Sequence, residues 1–225
     1  MRNNLRDQIH QEKKDLKKNN NKTWFDKNRK IYEAAKADFA SFIQQVTDLH
    51  SKKDSTIKNL LAKDCLFRIN RDIRFSKDKS PYKTNFGASI NKAGRKAMNA
   101  AGYYFHLEPG GCFMGGGLYM PMPEELKKIR QEIDYNLATF QKILGAKKFK
   151  SIYGDLDKSE EYLLSRLPKG YEPGNPAEEY LKLKSYIAMV SIPDKDLSSK
   201  DLVKKTVAAF DALHPLIEFI NKSFE

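Results

Sequence analysis

The run from Cys65 to Phe75 constrains this chain more than any other stretch. Cys65, Phe67, Ile69, Ile73 and Phe75 alternate with Arg68, Asn70, Asp72 and Arg74, and only Arg71 breaks the pattern. Side chains change faces at every residue of a strand, so this spacing predicts a half-buried strand with one apolar and one charged face, bulged near Arg71. Lys79-Ser80-Pro81-Tyr82 predicts a turn, because proline presets the backbone for one, and Thr84–Ile90 a second strand. Between Arg68 and Lys83 the chain places six cations and two carboxylates. Charge this dense, interleaved this regularly with apolar residues, is expected to dock something acidic.

Arginine offers a planar fork that meets two oxygens of a phosphate or carboxylate at once, while lysine supplies a point charge. Arg68 and Arg74 are expected on one face of the strand, with Arg71 at the bulge. Lys77, Lys79 and Lys83 follow on a turn able to fold back over that face, with Tyr82 beside them. Asp72 shares the face of Arg68 and Arg74, so it either positions their guanidinium groups or makes a purely structural ion-pair network with them. The formal net charge of +12 agrees with an anionic partner. Much of that charge is dispersed, however, in clusters such as Lys13-Lys14, Lys17-Lys18, Lys147-Lys148 and Lys204-Lys205, which read as solvated helix faces.

Two further runs, Gly102–Glu108 and Cys112–Tyr119, flank Pro109-Gly110 and predict a hairpin. A two-residue turn there would set Phe105 against Met114 and Leu107 against Cys112. Tyr104, His106, Glu108 and Phe113 would then share the other face with Gly115 and Gly117. Pro-Gly favours a type II turn over the primed hairpin types, so the register stays open. Glycines inside a strand mark a close approach by a ligand or by another backbone. His106 is either a hydrogen-bonded structural histidine or a general acid or base, with Tyr104 or Glu108 beside it and Asp78 as a second candidate. A metal site made of His106, Glu108, Asp72 and Asp78 lacks any diagnostic ligand spacing, and none is assigned.

Around these strands the pattern is helical. Residues 4–18 form a charged helix, peripheral within residues 1–20, and a long helix runs from Thr23 to Leu49. Its stripe holds Trp24, Ile31, Ala35, Phe39, Phe42, Val46 and Leu49, flanked by Phe25, Tyr32 and Ile43. Asn28 falls within the stripe, either as a satisfied core amide or at the border of a ligand cavity beside Arg29. Ser185–Ile192 predicts another strand, with Lys184 just before it, and Ser198 caps a C-terminal helix. Strands bunched in the middle between helices argue for α+β: one domain over residues 1–225, a mainly antiparallel sheet of about five strands, and long N- and C-terminal helices. Cys65 and Cys112 read as reduced, buried thiols. With charges at Arg2, Arg6, Asp7, Glu12 and Asp15 in place of an apolar leader, and no apolar run long enough to span a bilayer, the expectation is a cytoplasmic protein with no membrane partner.

No nucleotide-binding glycine loop, zinc-protease, nucleophile-elbow or paired-cysteine motif is present, so no cofactor and no reaction class are assigned. The chain does resemble a widespread family of bacterial and fungal proteins known as a conserved domain of unknown function. The resemblance is carried by Asn20-Asn21, Trp24-Phe25, Asn28-Arg29, Phe67-Arg68-Ile69, the string Arg71 to Lys79, Pro81-Tyr82-Lys83, Gly102-Tyr103-Tyr104, His106 to Gly110, Gly115-Gly116-Gly117, Pro168 to Tyr171 and Leu183-Lys184-Ser185. Members of that family often carry histidine where this chain has Asn175. The resemblance implies a single domain with a shared pocket, and no activity comes with it.

Two functional readings follow. In the first, Arg68, Arg71, Arg74, Lys77, Lys79 and Lys83 clamp a phosphorylated or carboxylated small molecule, Asn28, Tyr104 and His106 face the rest of it, and catalysis is left open. In the second, the same strand and the lysine-rich helices bind nucleic acid, with Tyr82, Tyr103 and Tyr104 stacking on bases. A protein-interaction domain with an acidic partner is the plainest reading.

Overall fold

In a computed structural model the described residues are 5–74, 76–96 and 99–225, with side chains from Gln11 onward. Phe75, Asn4 and Arg2, all used in the sequence reading, lie outside the described residues, as do the side chains of Arg6 and Asp7. The elements in order are α1 (Leu5–Lys18), α2 (Lys22–His50), α3 (Ala62–Cys65), β1 (Phe86–Ile90), β2 (Gly102–Leu107), β3 (Phe113–Leu118), α4 (Pro123–Tyr135), α5 (Leu137–Leu144), α6 (Lys147–Tyr153), α7 (Glu178–Leu181), β4 (Tyr186–Ser191) and α8 (Leu202–Lys222). The strands make one antiparallel sheet in the order β1-β2-β3-β4, so the fold is α+β. Among the described residues no helix is long and apolar enough to cross a membrane.

Among the described residues the sheet has four strands and not five, because Cys65–Arg74 does not form one. Cys65 ends α3, and the chain beyond it runs as an extended arm touching its return segment at two isolated bridges, Leu66 to Ala88 and Asn70 to Tyr82. Three backbone bonds hold it: Phe67 N–H to the Gly87 carbonyl (3.0 Å), Lys83 N–H to the Ile69 carbonyl (2.8 Å) and Arg71 N–H to the Pro81 carbonyl (2.9 Å). The ladder cannot continue through Pro81, which has no N–H to give. Phe67 and Ile73 remain 40% and 36% exposed, so the apolar side that a strand would have buried is only partly covered.

The chain divides into two compact units. The first comprises Met1–Lys96, Tyr104–Met114 and Ser191–Val207. Its core lies between α2 and one side of the strands. Asn21 starts α2 by accepting the Trp24 N–H at 2.9 Å. Phe86 stacks on Tyr32 and Phe39, with ring centroids 5.8 and 5.4 Å apart, and Phe42 meets Phe105 edge-on at 4.8 Å. Each such buried ring contributes roughly 2–3 kcal/mol. These sheet aromatics draw the helix face centred on Phe25, Tyr32, Phe39 and Ile43, which leaves Ile31 and Leu49 53% and 43% exposed. The stripe is thus rotated from the expected one toward its flanking residues. Nor is α1 peripheral, since Glu12, Lys13 and Leu16 are buried. Lys13 Nζ lies 3.1 Å from the Glu12 carboxylate and 4.0 Å from the centroid of Phe86.

The second unit comprises Ala97–Tyr103, Gly115–Val190 and Ala208–Glu225. Phe210, Leu213, Leu216, Ile217 and Ile220 of α8 form its buried stripe. His214 is buried there with Nδ1 2.9 Å from the Tyr103 hydroxyl. The glycine run of β3 answers to backbone crowding: a Cβ on Gly115 would lie 2.2 Å from the Ala188 carbonyl oxygen, and one on Gly117, whose φ is +122°, would lie 1.9 Å from that of Tyr186. Asn175 accepts the Ala177 N–H at 2.7 Å and donates to Asp134 at 2.8 Å, a local fastening at the start of α7.

Candidate functional site

Within the first unit, strand alternation sends Phe105 and Leu107 into the core and Tyr104, His106 and Glu108 to the opposite side. There the three side chains form a continuous relay. The Tyr104 hydroxyl is 3.2 Å from His106 Nδ1, and His106 Nε2 is 3.2 Å from Glu108 Oε2. Thr84 donates its hydroxyl to Glu108 Oε1 at 2.8 Å, and the Asn85 amide lies 3.4 Å from His106 Nδ1. A neutral imidazole that donates from Nε2 to the carboxylate keeps Nδ1 free to accept from the phenol. The Tyr104 O–H and the Glu108 carboxylate therefore select the same tautomer. Phe113 stacks on the imidazole at 4.6 Å with the planes 12° apart, which places His106 and Phe113 side by side, in the register that pairs Phe105 with Met114.

The environment separates the protonation behaviour along the relay. Burial, reinforced by the Glu108 charge, pushes the Tyr104 hydroxyl up to about 12. Burial alone would raise Glu108, but the Thr84 hydroxyl, His106 and the charge of Lys17 outweigh it and hold the carboxyl below its usual range. Lys13 also acts on Glu108 through its charge, so α1 contributes cations to the relay. Gly87 gives the phenol its seat: a Cβ there would lie 2.6 Å from the Tyr104 hydroxyl.

Beside the relay runs the arm from Leu66 to Lys83, and both of its carboxylates are paired within it. Arg74 grips Asp72 with two bonds of 2.9 and 2.7 Å, which hold the Asp72 carboxyl at about 2. Asp78 takes the Ser80 N–H at 2.9 Å and pairs with Arg71, and both lower its pKa. Lys79 donates to the Ile73 carbonyl at 2.9 Å. Arg68, Lys77 and Lys83 form no ion pair among the described residues. Lys83 is half-buried, and burial together with the nearby charge of Arg68 lowers its pKa. Its Nζ sits 5.4 Å from the centroid of Phe67, whose ring in turn meets Tyr104 edge-on at 6.2 Å. Phe67 thus links Lys83 to the relay.

The structure brings together Tyr104, His106 and Glu108 from the residues singled out in the sequence, with Lys83 joined to them through Phe67 and the charge of Arg68 acting on Lys83. It gives the others local partners. Tyr82 is buried and stacks on Phe25 at 4.2 Å, with its backbone clamped by the Asn20 amide at 2.9 and 3.1 Å. Asn28 donates to the Trp24 carbonyl one turn back at 2.9 Å, and Arg29 pairs with Asp26 on the same helix. Lys184 belongs to the second unit, where its N–H bonds to the Tyr162 carbonyl at 2.7 Å. Thr84, Asn85, Gly87, Phe67, Lys13 and Lys17 were not singled out as site residues. Strand alternation running back from Phe86 could have flagged Gly87 and Asn85; no local signal marks Lys13 or Lys17.

Comparison with known families matches residues 14–219 to a model described as a conserved hypothetical protein family, DUF2461. No curated protein and no solved structure matches the chain.

Proposed function

The chain belongs to the DUF2461 family of conserved hypothetical proteins, and we propose that it binds a small phosphorylated or carboxylated molecule beside the Tyr104–His106–Glu108 relay, in the cytoplasm. The observation that carries this reading is the pair of Arg68 and Lys83. The Arg68 charge acts on half-buried Lys83 as a like charge, and neither side chain forms an ion pair among the described residues. Two cations held together at the cost of mutual repulsion are relieved by an anion. The relay extends the reading to catalysis, because a phenol hydrogen-bonded to an imidazole that a carboxylate orients is equipped to give and recover a proton. A small ligand is preferred over nucleic acid because Tyr82 and Tyr103, 7% and 1% exposed, are packed into cores and offer no face to a base.

Calorimetric titration of the protein with inorganic phosphate and with acetate tests the reading. Binding should weaken about tenfold or more in Arg68→Ala and in Lys83→Ala, as expected for the loss of a charged hydrogen bond. Absence of binding, or affinity unchanged in both variants, overturns it.

A further inference from the structure

Resting on that reading, we infer that the ligand is a phosphate monoester that carries an aromatic ring next to its phosphate. The charge arrangement of the arm gives the first half of the argument. Asp78 and Asp72 pair with Arg71 and Arg74, and Lys79 donates to a backbone carbonyl, which leaves Lys83 over the Phe67 ring beside the relay, with the charge of Arg68 acting on it. A carboxylate brings one negative charge to this pair. A phosphate monoester brings about −1.5 to −2 near neutral pH, with oxygens enough for the guanidinium fork and the ammonium together.

Phe67 gives the second half. It precedes Arg68 in the chain, its ring lies 5.4 Å from Lys83 Nζ and 6.2 Å from the Tyr104 ring, and it is still 40% exposed. An apolar ring left open to water among cations is a surface on which the ring of an anionic ligand can stack. His106 and Phe113 stack on each other, so among the described residues Phe67, with Lys83 at its ring, offers the exposed aromatic surface beside that cation. Proton linkage follows from the same geometry. The Lys83 ammonium, lowered in the empty site, regains stability beside a dianion, so binding takes up protons and weakens as pH rises through the alkaline range.

The test compares phenyl phosphate, inorganic phosphate and benzoate by calorimetry on the full chain, in two buffers of different ionisation enthalpy. Phenyl phosphate should bind about three- to tenfold tighter than inorganic phosphate, the range expected for one aromatic contact, and about tenfold tighter than benzoate. Phe67→Ala should erase the preference for phenyl phosphate over inorganic phosphate, and Phe67→Leu should reduce it. The inference is overturned if benzoate matches phenyl phosphate, if the ring adds nothing, or if the preference survives in Phe67→Ala. Failure of all three compounds to bind would instead remove the anion site itself.

Discussion

The arm Leu66–Lys83 and the relay Tyr104–His106–Glu108 belong to the same unit and are built on opposite principles. The arm is rich in charge, and its carboxylates are spent on neighbours a few residues away: Asp72 on Arg74, Asp78 on Arg71 and Ser80. The relay is poor in charge and draws its partners from far along the chain, with Thr84 and Asn85 from the return of the arm and the field of Lys13 and Lys17 from α1. Density of charge in a sequence is therefore a poor guide to where charge is available. What matters is which cations remain without an ion pair after local pairing, and here Lys83, joined to the relay through Phe67, is one of them.

The largest effect should come from Gly87→Ala, which aims at the seat of the relay. The added methyl would lie 2.6 Å from the hydroxyl of Tyr104, a half-buried ring that must swing aside to admit it. Overpacking of this kind costs about 1–3 kcal/mol, readable as a lower urea midpoint, with Tyr104 displaced from His106. An unchanged midpoint would show that the relay is not held tightly. Next in size, Glu108→Ala should cost about 1–2 kcal/mol by stranding Thr84 and His106, while Asp78→Ala on the solvent-exposed arm should leave the midpoint unchanged. Equal losses from the two variants would erase the contrast between the regions.

Acid titration sharpens the same comparison. Glu108 and Asp72 are both lowered in the folded state, so each contributes stability that is present above its unfolded pKa and is lost as pH falls through the folded value. Glu108→Gln should flatten the upper part of the acid limb. Asp72→Asn should act only toward pH 2 and more weakly, because that pair is screened by water. The smallest expected effect is a gain: Asp72→Asn releases Arg74 and should tighten phosphate binding about twofold at low salt, vanishing at high salt.

The hairpin and its polar face were legible in the sequence because period-two alternation around Pro109-Gly110 depends only on local geometry. Tyr104, His106 and Glu108 came with it. The arm misled for a physical reason. Alternation states which side chains would share a face, but not whether another element will cover that face, and Phe67 and Ile73 stay only partly covered. The same limit rotated the stripe of α2, since aromatic partners on the sheet, among them Phe86 and Phe105, chose the buried side. The pairing of Thr84 with Glu108 and the reach of Lys17 arise only once the chain is folded, and no spacing encodes them.

The central claim is that the unpaired cations of the arm and the imidazole of the relay serve one ligand. Nitrogen-15 resonances of the His106 ring, followed while phosphate is added, test it most directly. The account predicts a saturable shift at His106 that disappears in the Arg68→Ala, Lys83→Ala double variant. A ring that stays silent at saturating phosphate, or that shifts equally without those two cations, would contradict it.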